Sequence, residues 1–271
     1  MNIDFFTYIG PNSAPYAEYL KYTAEKFSSG KHNINWKCVE SVGSDRLPEG
    51  YKCVAKTGDI GHNSMNHGVA INKSLEYVES DYVAIVDADM AIVYKNWDDV
   101  FVNELNNFDC FGVNYDNRVK YRNFPTVYFF GFRSYILKEV ELDFTPLVKF
   151  GQDSPVKLKV SESDSKFFNM RPGSAIKCDT GWRLPLQILG AGYKANSMRM
   201  VLMTSTDAQL PFEDVEHKKL CFQKPEHMYE WHYKGKVFAT HKQASRTQPL
   251  DSIYGQAWKR RIDLYMRNQN V

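Results

Sequence analysis

Five consecutive residues, Tyr82, Val83, Ala84, Ile85 and Val86, carry no charge and are mostly apolar or β-branched, the mark of a strand covered on both faces. A strand of that kind belongs to a sheet with helices on either side, and this one is followed at once by Asp87, Ala88 and Asp89. In open α/β sheets ligands sit beyond the carboxyl ends of the strands, so both carboxylates are expected in that crevice. A spacing of two puts their side chains on one side of an extended backbone. Two hard oxygen donors so placed suit Mg²⁺ or Mn²⁺, which bind through one or two carboxylates together with substrate phosphates. A bare Asp-x-Asp also fits a solvated turn, so its surroundings decide between the two.

The residues before it build a matching frame. A first buried strand is expected over 3–9, and Gly10-Pro11-Asn12-Ser13 is turn chemistry leading into a helix. Tyr16, Tyr19, Leu20, Ala24 and Phe27 recur at helical spacing, Ser28-Ser29-Gly30 stops that helix, and 34–40 supplies a second strand. Strand, helix, strand is the start of a doubly wound sheet. Thr7 and Tyr8 at the first strand tip, and Glu40 near the second, lie where a nucleotide base and ribose would sit, although each also serves as an ordinary turn residue. A third strand follows near 51–55, then a loop over 58–64 and a helix over 65–78 with Gly68, Ile71, Leu75 and Val78 as its buried stripe and Asn72 beside it. Glycine inside a helix costs about 1 kcal/mol relative to alanine, so Gly68 predicts close approach of a backbone or a ligand. His62 and His67 are candidate phosphate contacts, with surface or capping roles as the alternative.

The chain has 271 residues, 43% hydrophobic and 14% aromatic, enough for one large α/β domain or two small ones. Its 34 basic and 32 acidic residues leave a formal charge of +2, which by itself requires no polyanionic partner. The five cysteines are scattered, with no Cys-x-x-Cys pair, and read as buried thiols rather than zinc ligands. The sequence starts without a charged, then apolar, leader, and no window approaches the ~18 apolar residues of a membrane span. Membrane insertion is therefore not expected, and a cytoplasmic location is.

The stretch from Asn66 through Gly68, Asn72 and Leu75, followed by the apolar strand into Asp87-Ala88-Asp89, resembles the glycosyltransferases of GT-A fold, especially those of the family 2 type. The match covers about the first 115 residues well and the remainder loosely. The resemblance implies an α/β fold of GT-A type: a Rossmann-like, mostly parallel central sheet flanked by helices, with a smaller acceptor-side sheet. It implies one domain over 1–271, with a nucleotide-sugar-binding half over 1–115 and an acceptor-binding half, including a C-terminal helix, over 116–271. It assigns Asp87, with Ala88, to the nucleotide's ribose, Asp89 to the metal on the diphosphate, and Gly68 and Asn72 to the nucleotide-sugar side.

Beyond the motif, Trp97, Val100, Phe101, Glu104, Leu105 and Phe108 fit an amphipathic helix with Asp98 and Asp99 favourable in its first turn. Strands are expected over 111–113 and 126–132. The segment 150–174, rich in Ser, Asp, Lys, Pro and Gly, reads as an irregular connection, either a binding loop or an insertion without a role. From Cys178 to Tyr193 the sequence resembles the family segment whose aspartate opens a helix and acts as base in inverting members. That implies Asp179 as base, with Trp182 and Arg183 toward the acceptor. Two departures stand out: Cys178 replaces the usual acidic residue, and Pro185 would interrupt a helix in its second turn. Asp179 as helix N-cap is the competing role, and without Asp179 as base a retaining reaction stays open.

Many members complete the metal shell with a late histidine beyond a strand, which selects His241, with His232 in reserve. Lys242, Ser245 and Arg246 would then close over the diphosphate. A last helix over 252–267 carries Tyr254, Trp258, Ile262 and Tyr265 on one face, while Lys259, Arg260, Arg261 and Arg267 crowd the rest. Those cations either complement the helix dipole or, with Arg118, Lys120 and Arg122, form a phosphate-contacting patch.

The resulting expectation is a metal-dependent transfer of a sugar from a nucleoside-diphosphate sugar, UDP favoured, to an acceptor hydroxyl. The acceptor is a soluble glycan or, given the basic clusters and a viral flavour in the Asn-, Lys-, Tyr- and Phe-rich composition, hydroxymethylated cytosine in phage-type duplex DNA. Two alternatives are a sugar-phosphate nucleotidyltransferase, for which Gly10 to Pro15 is a poor glycine-rich loop, and a catalytically silent sugar- or nucleotide-binding protein.

Overall fold

In the computed structural model, which describes residues 1–61, 63–115, 123–149, 154–224, 228–243 and 246–269, the strand over Tyr82–Val86 (β4) is buried along its whole length. β1 (Asn2–Ile9) pairs with it in parallel and, on its other side, with β2 (Asn33–Glu40), which pairs in parallel with β3 (Lys52–Lys56). α1 (Ser13–Phe27) and α2 (Asn63–Leu75) connect these strands. β5 (Met90–Ile92), α3 (Trp97–Asn107), β6 (Cys110–Val113) and β7 (Phe129–Arg133) follow. The later elements are β8 (Lys157–Lys159), α4 (Ser165–Phe168), β9 (Ala175–Lys177), α5 (Leu184–Gly190), β10 (Ala195–Leu202), α6 (Val215–Phe222), β11 (Met228–Tyr233), β12 (Lys236–Lys242) and α7 (Ile253–Asn268).

The large sheet runs β3-β2-β1-β4-β7-β6-β10-β11-β12-β5, and β8 with β9 forms a separate small sheet. β7 enters antiparallel between β4 and β6, β10 returns parallel to β6, and β11, β12 and β5 close the far side as antiparallel strands. Apolar layers cover both faces, one built with Leu20, Trp97, Phe101 and Trp258, the other with Ile71, Phe130, Phe144 and Ile188. The α/β class, the Rossmann-like parallel start and the smaller sheet are thus as the sequence leads one to expect. All five cysteines are free thiols, four of them buried. No helix among the described residues is long and apolar enough to cross a membrane.

Two segments differ from expectation. The connection over 150–174 contains β8 and the single turn α4; a Lys-Leu-Lys strand has too little apolar alternation to stand out in sequence, and 150–153 lie outside the described residues. α7 starts where expected, Ser252 capping the Gly255 N–H at 3.1 Å, but its buried face is wider than the aromatic stripe. Arg261 is wholly buried beside Trp258 and Ile262. It donates to Leu210 O at 2.6 Å and pairs with the buried Glu230 of β11 at 2.9 Å, its guanidinium 4.5 Å from the centroid of Phe212.

Gly68 allows close approach of a backbone. A Cβ there would lie 2.7 Å from Phe144 O and 2.9 Å from Thr145 Cα. Asn72, one turn on, clasps the same segment, accepting from the Phe144 N–H at 2.9 Å and donating to Asp143 Oδ1 at 3.2 Å. Because the neighbours are main-chain atoms, Gly68→Ala should destabilise the protein by about 1–3 kcal/mol despite alanine's better helix propensity, read as a lower urea midpoint. An unchanged midpoint would show that the 144–145 backbone yields freely.

Candidate metal centre

Main-chain geometry first brings the carboxylates together. The Asp87 N–H donates to Tyr128 O at 3.0 Å, and Met90 N–H to Asp87 O at 3.2 Å, so the chain turns sharply after β4 instead of staying extended. That turn, rather than the two-residue strand period, puts Asp87 and Asp89 on one site. It also sends β5 back to pair with β12, opposing Met90 to His241, with Lys242 N–H donating to Asp89 O at 2.9 Å.

His241, 2% exposed, therefore arrives from the far end of the chain with Nε2 2.9 Å from Asp89 Oδ1 and 3.9 Å from Asp87 Oδ2. One ligand atom from each of Asp87, Asp89 and His241 lies within 4.8 Å of the others. Asp87 Oδ1 and His241 Nδ1 are buried without a hydrogen bond. His67 Nε2 stands 3.3 Å from that same Asp87 oxygen. Burial disfavours protonation of His67, but the charges of Asp87, Asp179 and Asp89 outweigh it and hold the imidazole above its ordinary pKa. Two carboxylates and one imidazole with orphaned polar atoms fit a divalent cation, and one nitrogen donor tilts the set toward Mn²⁺ over Mg²⁺. His232 is not part of it: it lies beside Glu230 at 3.2 Å and opposes Val237, toward the other end of β12.

Tyr128 is the residue sequence reasoning missed. Its carbonyl holds Asp87, and its ring lies against His241 with centroids 4.6 Å apart. Nothing in the aromatic run over 128–132 distinguishes it, because the whole run reads as core strand.

Beside the carboxylates opens a cavity of about 230 Å³ lined by Tyr8, Ser13, Ser41, Asn66, His67 and Arg246 among others, with Asp87, Ala88 and Asp89 on its wall. Tyr8 bonds Ser74 Oγ through its hydroxyl at 3.1 Å and packs edge-on to His67. Several expected contacts are placed elsewhere. Thr7 is fully buried within the sheet, and Glu40 pairs with Lys56 at 2.6 Å while Ser41 and Val42 line the cavity in its stead. Gly68 and Asn72 serve the 143–145 segment. Lys242 is buried, its amine donating to Gln243 O and Gln248 Oε1. Arg246 does reach the cavity, whereas His62 and Ser245 lie outside the described residues.

Asp179 does not cap a helix. α5 begins at Leu184 with Pro185 in its first turn, where a proline costs no hydrogen bond. Asp179 instead accepts from Thr180 N–H at 2.9 Å, pairs with Lys177 at 3.3 Å, and is near enough for its charge to act on His67. Trp182 lies beside it with Nε1 buried and unbonded, and Arg183 stacks on Trp182 while donating to Asp143 Oδ2 at 2.9 Å.

A larger cavity of about 680 Å³, lined by Asn114, Asn123, Asn169, Asn196 and Arg199 among others, has no carboxylate among its described lining residues. It lacks the ligands a cation needs, so the smaller cavity is the candidate site. The expected basic patch on α7 has Arg261 buried, Arg260 paired with Glu213 and Lys259 with Asp263, while Arg260 and Arg267 stay exposed. Its expected companions Arg118, Lys120 and Arg122 lie outside the described residues.

No protein-family model and no curated protein matches the sequence. Among solved structures, the mannosyltransferase PcManGT from Pyrobaculum calidifontis, in complex with GDP-Man and Mn²⁺, is 14% identical, the match covering 82% of this chain and 60% of that one with a TM-score of 0.42. TarS from S. aureus is 19% identical over 53% of this chain and 30% of its own, with a TM-score of 0.35. A shorter form of TarS in complex with UDP is 18% identical over 66% and 57%, with a TM-score of 0.35. The chain thus spans between 30% and 60% of the lengths of these structures. At such values the likeness is one of coarse chain path, and the chemistry has to come from this chain's own residues.

Proposed function

We propose that the protein is a metal-dependent glycosyltransferase of GT-A type, moving a sugar from a nucleoside-diphosphate sugar, UDP favoured, to the hydroxyl of a glycan acceptor. One observation carries the reading: Asp87 and Asp89 from the tip of the buried strand β4 meet His241 from β12 beside a cavity whose wall includes both carboxylates. Asp89 and His241 would hold Mn²⁺ or Mg²⁺, with Asp87 turned toward the ribose. The cation's part is to neutralise charge on the departing diphosphate. Arg246, on the cavity wall, adds a cationic side chain for the same oxygens. Tyr8, Ser41 and Val42 supply the wall for base and ribose.

Asp179 accepts the proton of the acceptor hydroxyl, giving inversion. Lys177 holds its carboxylate at 3.3 Å, and the charge of Asp179 reaches His67, which ties it to the site. Asp179→Asn should lower transfer by about 10²- to 10⁴-fold while leaving donor affinity near wild type. Loss of donor affinity with unchanged turnover would instead make it a binding group.

The nucleotidyltransferase alternative is weakened by the Gly10–Ser13 turn, where the Ser13 N–H already donates to Gly10 O at 3.2 Å. A DNA acceptor has less support on α7 than the sequence suggests, because Arg261 is buried and Arg260 is paired with Glu213.

Screening UDP-, GDP- and dTDP-sugars for nucleoside-diphosphate release, with Mn²⁺ or with EDTA, tests the proposal. Metal-dependent release from one donor is the expected result. Tight metal-dependent nucleotide binding with no release, even across an acceptor screen, would make the protein a silent binder.

A further inference from the structure

The small β8–β9 sheet carries a charge arrangement that folding alone does not favour. Its register sets Lys157 opposite Lys177 and Lys159 opposite Ala175. Lys157, Lys159 and Lys177 therefore share one face, while Leu158 and Ile176 take the other, where Ile176 is 1% exposed in the core. Like charges directly opposite on an antiparallel pair repel, their Cβ atoms about 5 Å apart. Among the described residues neither Lys157 nor Lys159 has a carboxylate within ion-pair distance, and both are exposed. Lys177 alone is neutralised, by Asp179 at 3.3 Å. β9 runs directly toward the site, since Asp179 lies two residues beyond its end and Thr180 Oγ1 donates to Ser64 O at the start of α2.

We infer that this strip is the approach for an acidic glycan: the acceptor of the proposed transfer, on which this inference rests, carries negative charges on its sugar units. Lys159 and Lys157 lie about 7 Å apart along an extended strand and form a row leading through Lys177 to the carboxylate that takes the hydroxyl proton. The row is made of lysines, flexible ammonium point charges suited to anions at variable angle, with no arginine to fork onto a phosphate. The face also lacks an aromatic side chain on which a nucleic-acid base would stack. A glycan with charges at intervals matches both features.

Binding of an oligogalacturonide is compared with that of a neutral maltodextrin of matched length, for wild type and the double variant Lys157→Gln, Lys159→Gln, at low and high salt. The acidic probe should bind wild type at least about tenfold more tightly than the neutral one, lose about tenfold in the variant, and weaken with salt. Equal binding of both probes, or a variant that binds like wild type, overturns the inference. A single-stranded oligonucleotide of equal charge bound as tightly as the galacturonide overturns it in favour of nucleic acid. Nucleoside-diphosphate release is assayed on the same wild-type preparation. Release from a donor without preference for the acidic probe sinks this inference alone. Selective acidic binding without release from any donor, across the acceptor screen, removes the transferase reading and with it the strip's role as an acceptor site.

Discussion

Asp89→Ala should lower metal-dependent nucleoside-diphosphate release by about 10³-fold, the equivalent of about 4 kcal/mol in the barrier. The substitution removes the carboxylate that lies 2.9 Å from His241 Nε2 and leaves His241 as the one remaining proposed ligand of the cation on the diphosphate. The main-chain contact from Lys242 N–H to Asp89 O does not depend on the side chain and survives the substitution. Thermal unfolding within a few degrees of wild type, together with a weakened Mn²⁺ titration, is therefore expected. Asp89→Asn keeps the shape and removes the charge, and it should fail nearly as badly. A variant that keeps wild-type turnover with Mn²⁺ would disprove the metal assignment, because Asp87, Asp89 and His241 form the one such group of His, Cys, Asp or Glu among the described residues.

Arg261→Met should cost about 3–5 kcal/mol of stability, the usual penalty for stranding one partner of a buried ion pair. Glu230 is fully buried and accepts from Gln209 N–H at 2.7 Å and Leu210 N–H at 3.1 Å as well as from Arg261. Burial pushes its carboxyl up, but His232, the Arg261 charge and those two amides outweigh it and hold its pKa below the ordinary 4.5. A depressed native pKa contributes stability that is present above the unfolded value and lost as pH falls through the native one. Wild type should accordingly lose stability below about pH 4.5. Without the guanidinium, burial dominates, and protonation of Glu230 relieves the variant as pH drops. The gap between variant and wild type should narrow toward acid, measured by urea unfolding at several pH values. Adding Glu230→Gln to Arg261→Met removes the stranded charge and keeps one acceptor oxygen, for one of the two amides, so it should recover part of the loss. A double variant no better than the single one would show that lost packing over Phe212, rather than charge, sets the cost.

These residues also show what sequence can and cannot reveal. The run Tyr82 to Val86 identified the central strand because burial on both faces leaves an unbroken apolar string. The Asp-x-Asp pair and His241 were legible because few residue types bind a hard cation, and the resemblance located both. Their meeting was not legible, since it depends on a turn and on a three-residue strand, β5, too short to show any period. Arg261 was misplaced because helical patterning counts every arginine as surface, and only the partner Glu230 on β11 makes its burial affordable. Gly68 predicts close approach of a backbone or a ligand, and it is the Phe144–Thr145 backbone that approaches, while Glu40 and Asn72 invite a ligand role because a polar residue looks the same in sequence whether it faces solvent, substrate or another part of the backbone.

The pairing of β12 with β5 has a consequence for the order in which the molecule is made. Asp87 and Asp89 leave the ribosome some 150 residues before His241, since β12 follows every other strand of the sheet in chain order. A nascent chain can assemble the β1–β2–β3–β4 layer early, from contacts close in sequence, yet the histidine of the Asp87, Asp89 and His241 group is missing until β12 has been made. A cation held by this group would therefore bind tightly only once β12 has docked, and would stabilise chains with β12 in place over those without it.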